Sequence, residues 1–491
     1  MAQSGPFKPI RVFRIGFFLF ISRVANKSAC LLSSLQRSAY VLLSPPATDY
    51  WHTLMESVLF SAKYKNNRQT LVKYTVITTA LLLLAQVTIY GQSDYGQSDG
   101  LSGSQVDSEE SHISLLSHGS GTIQRNLPAL VRPELPEMQR SYSAYTTWLK
   151  QQVDETALPG VALAVVSSKG ILLLETWGVR SAGKADLIDS NTIFRIASVS
   201  KTFAGTVAAQ LVEQEAYGWD EPLIKILPQH KLGSDASSQV LTLRHIMSHS
   251  SGLMPHAYSN MLDAGVSYQK IQEKFHEIPV VCAPGRCYGY QNVVFSLIAD
   301  VVEVRTHKTY EQFVKDNIFT PLGMNTASLS LEDYLSNSNA SSPHQRSRGS
   351  WQVASTNSAY YTTGPASGVN ASILDMSRWA QANLGAFPGV LSRSLLDVQH
   401  TPVVETPRGS YFNRWPKVQN AWYGLGWRVF DYAGMRIVHH GGGVRGFRTE
   451  LVLIPEKDLA LVVLFNAETT IANDVVPGFL DHVIQQAALV L

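Results

Sequence analysis

Ser198 and Lys201 lie three residues apart in the stretch FRIASVSKTFAGTVAAQLVE (194–213), at the head of an apolar run. A serine hydroxyl becomes a strong nucleophile when a neighbouring base takes its proton. On a helix, residues i and i+3 share a face, so a lysine amine reaches a serine one turn earlier. The same spacing recurs at Ser181–Lys184 and Ser267–Lys270, so context has to choose. Ser181 falls in a glycine-containing turn after a strand, and Ser267 opens a charged segment with a solvated face. Ser198 follows strand-like TIFRIA and precedes apolar TFAGTVAAQLV, which reads as a buried helix. That places the serine at a helix N-terminus, where free N–H groups and partial positive charge favour an oxyanion. A lysine walled in by apolar residues holds its proton less tightly. A serine N-cap beside a snorkelling lysine explains the same letters equally well at this stage. Ser200 faces another way by the same geometry.

FRIASVSKTFAG resembles the nucleophile segment of class C β-lactamases and their relatives, the DD-peptidases, D-aminopeptidases and β-lactamase-like esterases. The resemblance implies a later Y-x-N and a K-T-G or H-x-G; the S-D-N of class A enzymes is absent. Y-x-N begins at Tyr64, Tyr258, Tyr290 and Tyr411. Tyr290-Gln-Asn292 alone lies between an Ala-Pro-Gly turn and an apolar helix pattern, VVFSLIADVVEV, which is the family's order. H-x-G fits at His439 and His440, and Gly446-Phe447 sets the phase to His440-Gly441-Gly442. LTLRHIMSHSSGL, PLGMNTAS, PASGVNASILDMSRW and YGLGWRV extend the likeness across roughly 136–491.

The resemblance implies a serine hydrolase that works through an acyl-enzyme. Ser198 attacks, Lys201 and Tyr290 move the proton, and Asn292 fixes the lysine and a substrate carbonyl. His440, Gly441 and Gly442 line the substrate, and the N–H of Gly443 is the second oxyanion donor beside that of Ser198. His439 points to the other face of its strand. The third motif carries histidine where β-lactamases have lysine, and a histidine is mostly neutral above pH 6.5. That weakens the case for β-lactamase as the main activity, and Arg445 and Arg448 are candidates to replace the lost cation. The substrate is left open among β-lactams, D-amino-acid peptides and esters. The alternative is a binding or structural module on this fold, with little catalysis.

No cofactor is expected, and no metal. His245 and His249 have helical i,i+4 spacing, but Ile246 stands where a zinc protease motif needs glutamate. A formal charge of +2 with no long basic run gives no footing for a nucleic-acid partner. Cys282 and Cys287 flank the turn before Tyr290 and are expected to pair in an oxidising compartment, or to stay reduced in the cytosol.

These residues need a frame. GVALAVVSS and GILLLETWGV read as a hairpin near the start of the globular part. MRIVHH, RTELVLIP and DLALVVLFNA read as three strands near its end, closed by an amphipathic helix. The expected fold class is α/β in the α+β sense, of the β-lactamase/transpeptidase type. One antiparallel sheet is built from both chain ends and flanked by helices, with a mostly helical subdomain inserted. Residues 334–357, rich in Ser and Asn, read as a surface loop. Ahead of the domain (136–491), residues 91–135 read as a Ser/Gly-rich linker; the formal G-x-S-x-G at Gly96–Gly100 lacks a strand–helix setting. Residues 55–90 read as a signal peptide or signal anchor, with basic residues before the uncharged segment 74–90 and Met55 as initiator. Residues 1–54 read as an upstream extension of the frame, or as a long cytoplasmic tail. An exported protein follows, periplasmic or anchored to the periplasmic side of a membrane through 74–90.

Overall fold

The computed structural model describes residues 142–356, 358–407 and 411–489. Expectations for 1–54, 55–90 and 91–135 lie outside the described residues. Helix α1 (Ser143–Glu155) leads into the hairpin β1 (Gly160–Ser167) and β2 (Gly170–Gly178). A long insert follows. It carries α2 (Ser200–Glu213), α3 (Leu243–Met247), α4 (Ile298–Thr306), α5 (Ile373–Asn383) and several shorter helices. It also carries two small pairs, β3 (Phe194–Arg195) with β6 (Asn370–Ala371) and β4 (His344–Ser347) with β5 (Ser350–Val353). The chain then returns through β7 (Val404–Glu405), β8 (Val418–Tyr423), β9 (Arg428–Tyr432), β10 (Met435–Val444), β11 (Phe447–Ile454) and β12 (Leu459–Phe465). Helix α6 (Val475–Leu489) closes the fold.

The main sheet has the order β2-β1-β12-β11-β10-β9-β8-β7, and its pairings are antiparallel. Strand β1 pairs with β12, so the first and last strands of the described chain meet side by side, next to the β2 edge of the sheet. Both faces are covered, which explains why β1 and β12 are continuous apolar runs and not alternating ones. Val161, Leu163 and Val165 pack with residues of α1 and α6, while Ala162, Ala164 and Val166 face the insert. Among the described residues no helix is long and apolar enough to cross a membrane.

Two expectations are corrected. TIFRIA forms a strand only at Phe194 and Arg195, with Ile193 in an isolated bridge to Ala340, because Ile196 turns helical and Ala197 enters the left-handed region at φ +50°. Residues 334–357 are not one loop. They hold the end of a helix (Leu331–Ser336) and the β4–β5 hairpin. Composition hid two anchors there. His344 is fully buried, with Nδ1 bonded to the Asn466 carbonyl at 2.7 Å, and Trp351 Nε1 donates to the Thr156 carbonyl at 3.0 Å.

One contact sets the site's depth. The turn between β8 and β9 lies directly on α2: a Cβ on Gly205 would fall 2.2 Å from the Leu425 carbonyl oxygen. A Cβ on Gly426 would fall 2.4 Å from that of Lys201. Only glycine permits this approach, and it brings the ends of β8 and β9 to the Lys201 side chain.

Candidate active site

Ser198 lies in a single 3-10 turn, Ala197–Val199, that runs into α2. The left-handed Ala197 before it costs of order 1–3 kcal/mol and persists because its surroundings enforce it. Strand β10 supplies that enforcement. A Cβ on Gly442 would sit 2.2 Å from the Ile196 carbonyl oxygen, so the strand touches the serine turn backbone to backbone. Strand β9 pairs with β10 only as far as His439, which leaves the edge of Gly441–Val444 open on that side. On the other side Val444 and Phe447 close a tight hairpin and Gly443 faces Arg448. Ladder alternation then turns the Gly443 N–H away from β11 and towards the open edge. Ser200 is a structural neighbour: its Oγ donates to the Ala197 carbonyl at 2.6 Å and accepts from the Val369 N–H at 3.0 Å.

Lys201 is fully buried. Its Nζ donates to Asn292 Oδ1 at 2.8 Å and to the Ala366 carbonyl at 2.9 Å, and lies 4.7 Å from the centre of the Tyr290 ring. Burial, and then the positive charge of Arg428, pull its pKa well below the usual lysine range. Tyr290 and Ser198 line the same arm of the cleft, and the Ser198 side chain is close enough to act on the phenol as a polar neighbour. Burial pushes the Tyr290 phenol up, against the downward pull of Arg428 and of the Ser198 side chain. Both shifts act in one sense: burial favours the uncharged form of the phenol and of the amine.

The structure brings Ser198, Lys201, Tyr290, Asn292 and Gly441–Gly443 together. It places His440 differently. His440 is 1% exposed, and both its nitrogens are taken. Nδ1 lies 2.8 Å from the Gly441 carbonyl, which can only accept, so Nδ1 carries the proton. Burial, Arg428 and Lys201 push the ring pKa well down. The neutral ring accepts at Nε2 from the Tyr423 hydroxyl, 2.9 Å away. His440 thus stands against Tyr423 and, among the described residues, is not part of the lining of either arm of the cleft described below. His439, on the opposite face, meets Glu450 at 2.7 Å, both buried.

The sequence reading singled out Arg445 and Arg448 as replacement cations. Arg445 is exposed and its Nε donates to Gln345 at 3.0 Å. The buried cation of the site is Arg428, 7% exposed, among Tyr288, Tyr290, Tyr411 and Tyr423. Its Cζ lies 3.9 Å from the Tyr411 ring centre, and Nη1 donates to the Tyr288 hydroxyl at 3.3 Å. Those rings offset part of the cost of burying its charge. A lone arginine inside the apolar stretch YGLGWRV was the signal available in the sequence.

His249 is the second residue missed, having been weighed only as a zinc ligand. Its Nδ1 accepts from the Gln291 N–H at 3.2 Å, and its ring lies 4.3 Å from that of Tyr290 and 4.6 Å from that of Tyr423. It thereby fixes both tyrosines. His245 instead caps α3, with Nδ1 accepting from the Thr242 N–H.

The Tyr290 loop is pinned from outside. Cys282 and Cys287 form a disulfide, Sγ–Sγ 2.00 Å, and the loop between them docks on Ser250 and Gly252. Closing so short a loop contributes about 2 kcal/mol through the unfolded chain. Replacing both cysteines by serine should lower stability by roughly that amount in a urea titration. An unchanged midpoint would show that the docking alone holds the loop.

A cleft opens on Ser198 with two arms that share Ser198, Gly443 and Arg448. The first, about 590 Å³, is lined by Tyr288, Tyr290, Tyr411 and Arg428. The second, about 510 Å³, is lined by Asn292, Asp263 and Tyr360.

Comparison with known proteins agrees with this architecture. The chain is 27% identical over 341 residues to an unguisins hydrolase of Aspergillus campestris, a match covering 66% of this chain and 61% of that relative. It is 25% identical over 323 residues to a D-aminopeptidase of Cereibacter sphaeroides, covering 64% of this chain and 57% of that relative. The chain thus spans about three fifths of the length of these curated relatives. An octameric penicillin-binding protein homologue from Pyrococcus abyssi shares the fold, with a TM-score of 0.58 at 20% identity over 66% of this chain and 73% of that one. Residues 146–485 match the beta-lactamase family, and the chain belongs to it.

Proposed function

We propose that the chain is a serine hydrolase that cleaves peptide-type amides through an acyl-enzyme, with a carboxylate on the leaving side. The observation that carries the reading is the convergence of Ser198 and Tyr290 in one arm of the cleft beside a buried Lys201 held on Asn292. Ser198 Oγ attacks the carbonyl carbon while the N–H groups of Ser198 and Gly443 receive the oxyanion. The serine proton enters the Tyr290–Lys201 pair, whose depressed lysine is the proton sink. As the C–N bond breaks, Tyr290 returns that proton to the departing nitrogen. Water then attacks the ester carbon, restores the Ser198 hydroxyl and releases the acid.

Tyr290 lines the first arm and Asn292 the second, so the leaving group lies in the first, over Arg428. A buried guanidinium there replaces the cation that neutral His440 does not supply. A relative named a D-aminopeptidase supports peptides over esters. Parallel assays of a chromogenic cephalosporin, an acetylated D-Ala-D-Ala peptide and a nitrophenyl ester test this, each with Ser198→Ala as control. The peptide should have the highest kcat/KM. Ester turnover without peptide turnover would reject the substrate class.

Export to an oxidising compartment is part of the same proposal, and the Cys282–Cys287 disulfide supports it. N-terminal sequencing of the mature protein tests it; an intact cytosolic chain would refute it.

A further inference from the structure

The first arm holds more positive charge than one carboxylate needs. Arg414 and Arg428 both address the Tyr411 ring, with Cζ at 4.4 Å and 3.9 Å from its centre. Both line the arm, and so does Arg448. Among the described residues none of the three makes an ion pair. Among the described residues the one carboxylate lining the arm is Glu450, which is buried and hydrogen-bonded to His439.

Arg428 is more than nine-tenths buried, and its Nε has no partner. Burying a guanidinium without an anion is costly, and the tyrosine faces offset only part of that cost. Arg414 differs. It is exposed, donates to Asn473 Oδ1, and lies over the same Tyr411 ring. Sharing one ring keeps the two guanidiniums within a span that the two carboxylates of one acidic residue can bridge. Their floor is aromatic and flat, which suits a short aliphatic linker between two charges.

We propose that the first arm is a two-anion subsite for a leaving group that is a C-terminal acidic residue, its main-chain carboxylate on Arg428 and its side-chain carboxylate on Arg414. This rests on the reading that Ser198 is acylated and that the leaving group occupies the first arm. The subsite adds no covalent step to the hydrolysis. Its contribution is charge-assisted recognition, which falls off with salt at the exposed Arg414 and persists at the buried Arg428.

Binding to the Ser198→Ala protein separates this from turnover. Titration calorimetry at low salt compares N-acetyl-D-alanyl-D-glutamate with N-acetyl-D-alanyl-D-glutamine, which has the same shape and one charge fewer. The glutamate form should bind roughly tenfold tighter. Adding Arg414→Ala should remove that difference and leave the glutamine form unchanged, and Arg414→Lys should restore part of it. Equal binding of the two peptides overturns the subsite. So does an Arg414→Ala effect of equal size on both, or no binding of either at millimolar concentration. Because the protein used cannot acylate, each of these outcomes leaves the acyl-enzyme reading standing. Loss of that reading would show separately, as the absence of Ser198-dependent labelling in the unmodified protein.

Discussion

Ser198→Ala abolishes covalent labelling by a fluorophosphonate or a fluorescent penicillin and lowers hydrolysis by roughly 10⁴-fold or more. The expectation follows from geometry. Ser198 opens onto both arms of the cleft, it shares the first arm with Tyr290, and the open edge of Gly441–Val444 faces it. The residue that survives the substitution is the oxyanion pocket, and that accounts for the small rate left over. Ser200→Ala is the matching control. Ser200 is buried and its hydroxyl bridges Ala197 and Val369, so its loss costs about 1 kcal/mol of stability and leaves labelling intact. Gel fluorescence of the two variants after probe treatment reads both outcomes. Labelling that survives Ser198→Ala would remove the nucleophile from the mechanism.

Lys201→Met lowers kcat/KM by roughly 10³–10⁴-fold and erases its dependence on pH. Burial and Arg428 hold the amine well below its ordinary range, so the basic form is populated at lower pH than in a free lysine. Activity of the unmodified enzyme therefore rises with pH as this amine loses its proton and levels off before the ordinary lysine range. The sign for stability is the same. The unfolded chain binds a proton that the folded chain refuses, so Lys201 makes stability rise with pH between the depressed and the ordinary value. Methionine keeps the apolar stem and removes the titrating group. A pH–rate profile from neutral to alkaline pH measures the effect. A variant within tenfold of the unmodified enzyme, or one that keeps the rising limb, would assign the base to Tyr290 alone.

Much of the frame was legible in the sequence because its cues are local. The β1–β2 hairpin and β10–β12 announce themselves as apolar runs broken by polar turns, and the motif order selects Ser198, Lys201, Tyr290 and Asn292 from rival matches. Where a segment's state depended on distant partners, local cues misled. TIFRIA has strand composition but only two residues find a partner strand, while His344 and Trp351 give the polar stretch 334–357 a fixed shape through Asn466 and Thr156.

The site divides along the same line. Residue types at fixed spacing determined that a nucleophile, an amine and a phenol are available, since spacing along one helix or one turn is a property of the chain itself. Tertiary structure alone decided their protonation and what surrounds them. Burial and Arg428, which arrives on another strand, depress Lys201. Tyr423 and the Gly441 carbonyl consume both nitrogens of His440. Those partners come from the β8–β9 hairpin, seated on α2 where Gly205 and Gly426 allow backbones to touch. Burial and electrostatic fields depend on which distant segments pack together. Spacing therefore named the groups, and packing set the environment that shifts their proton affinity.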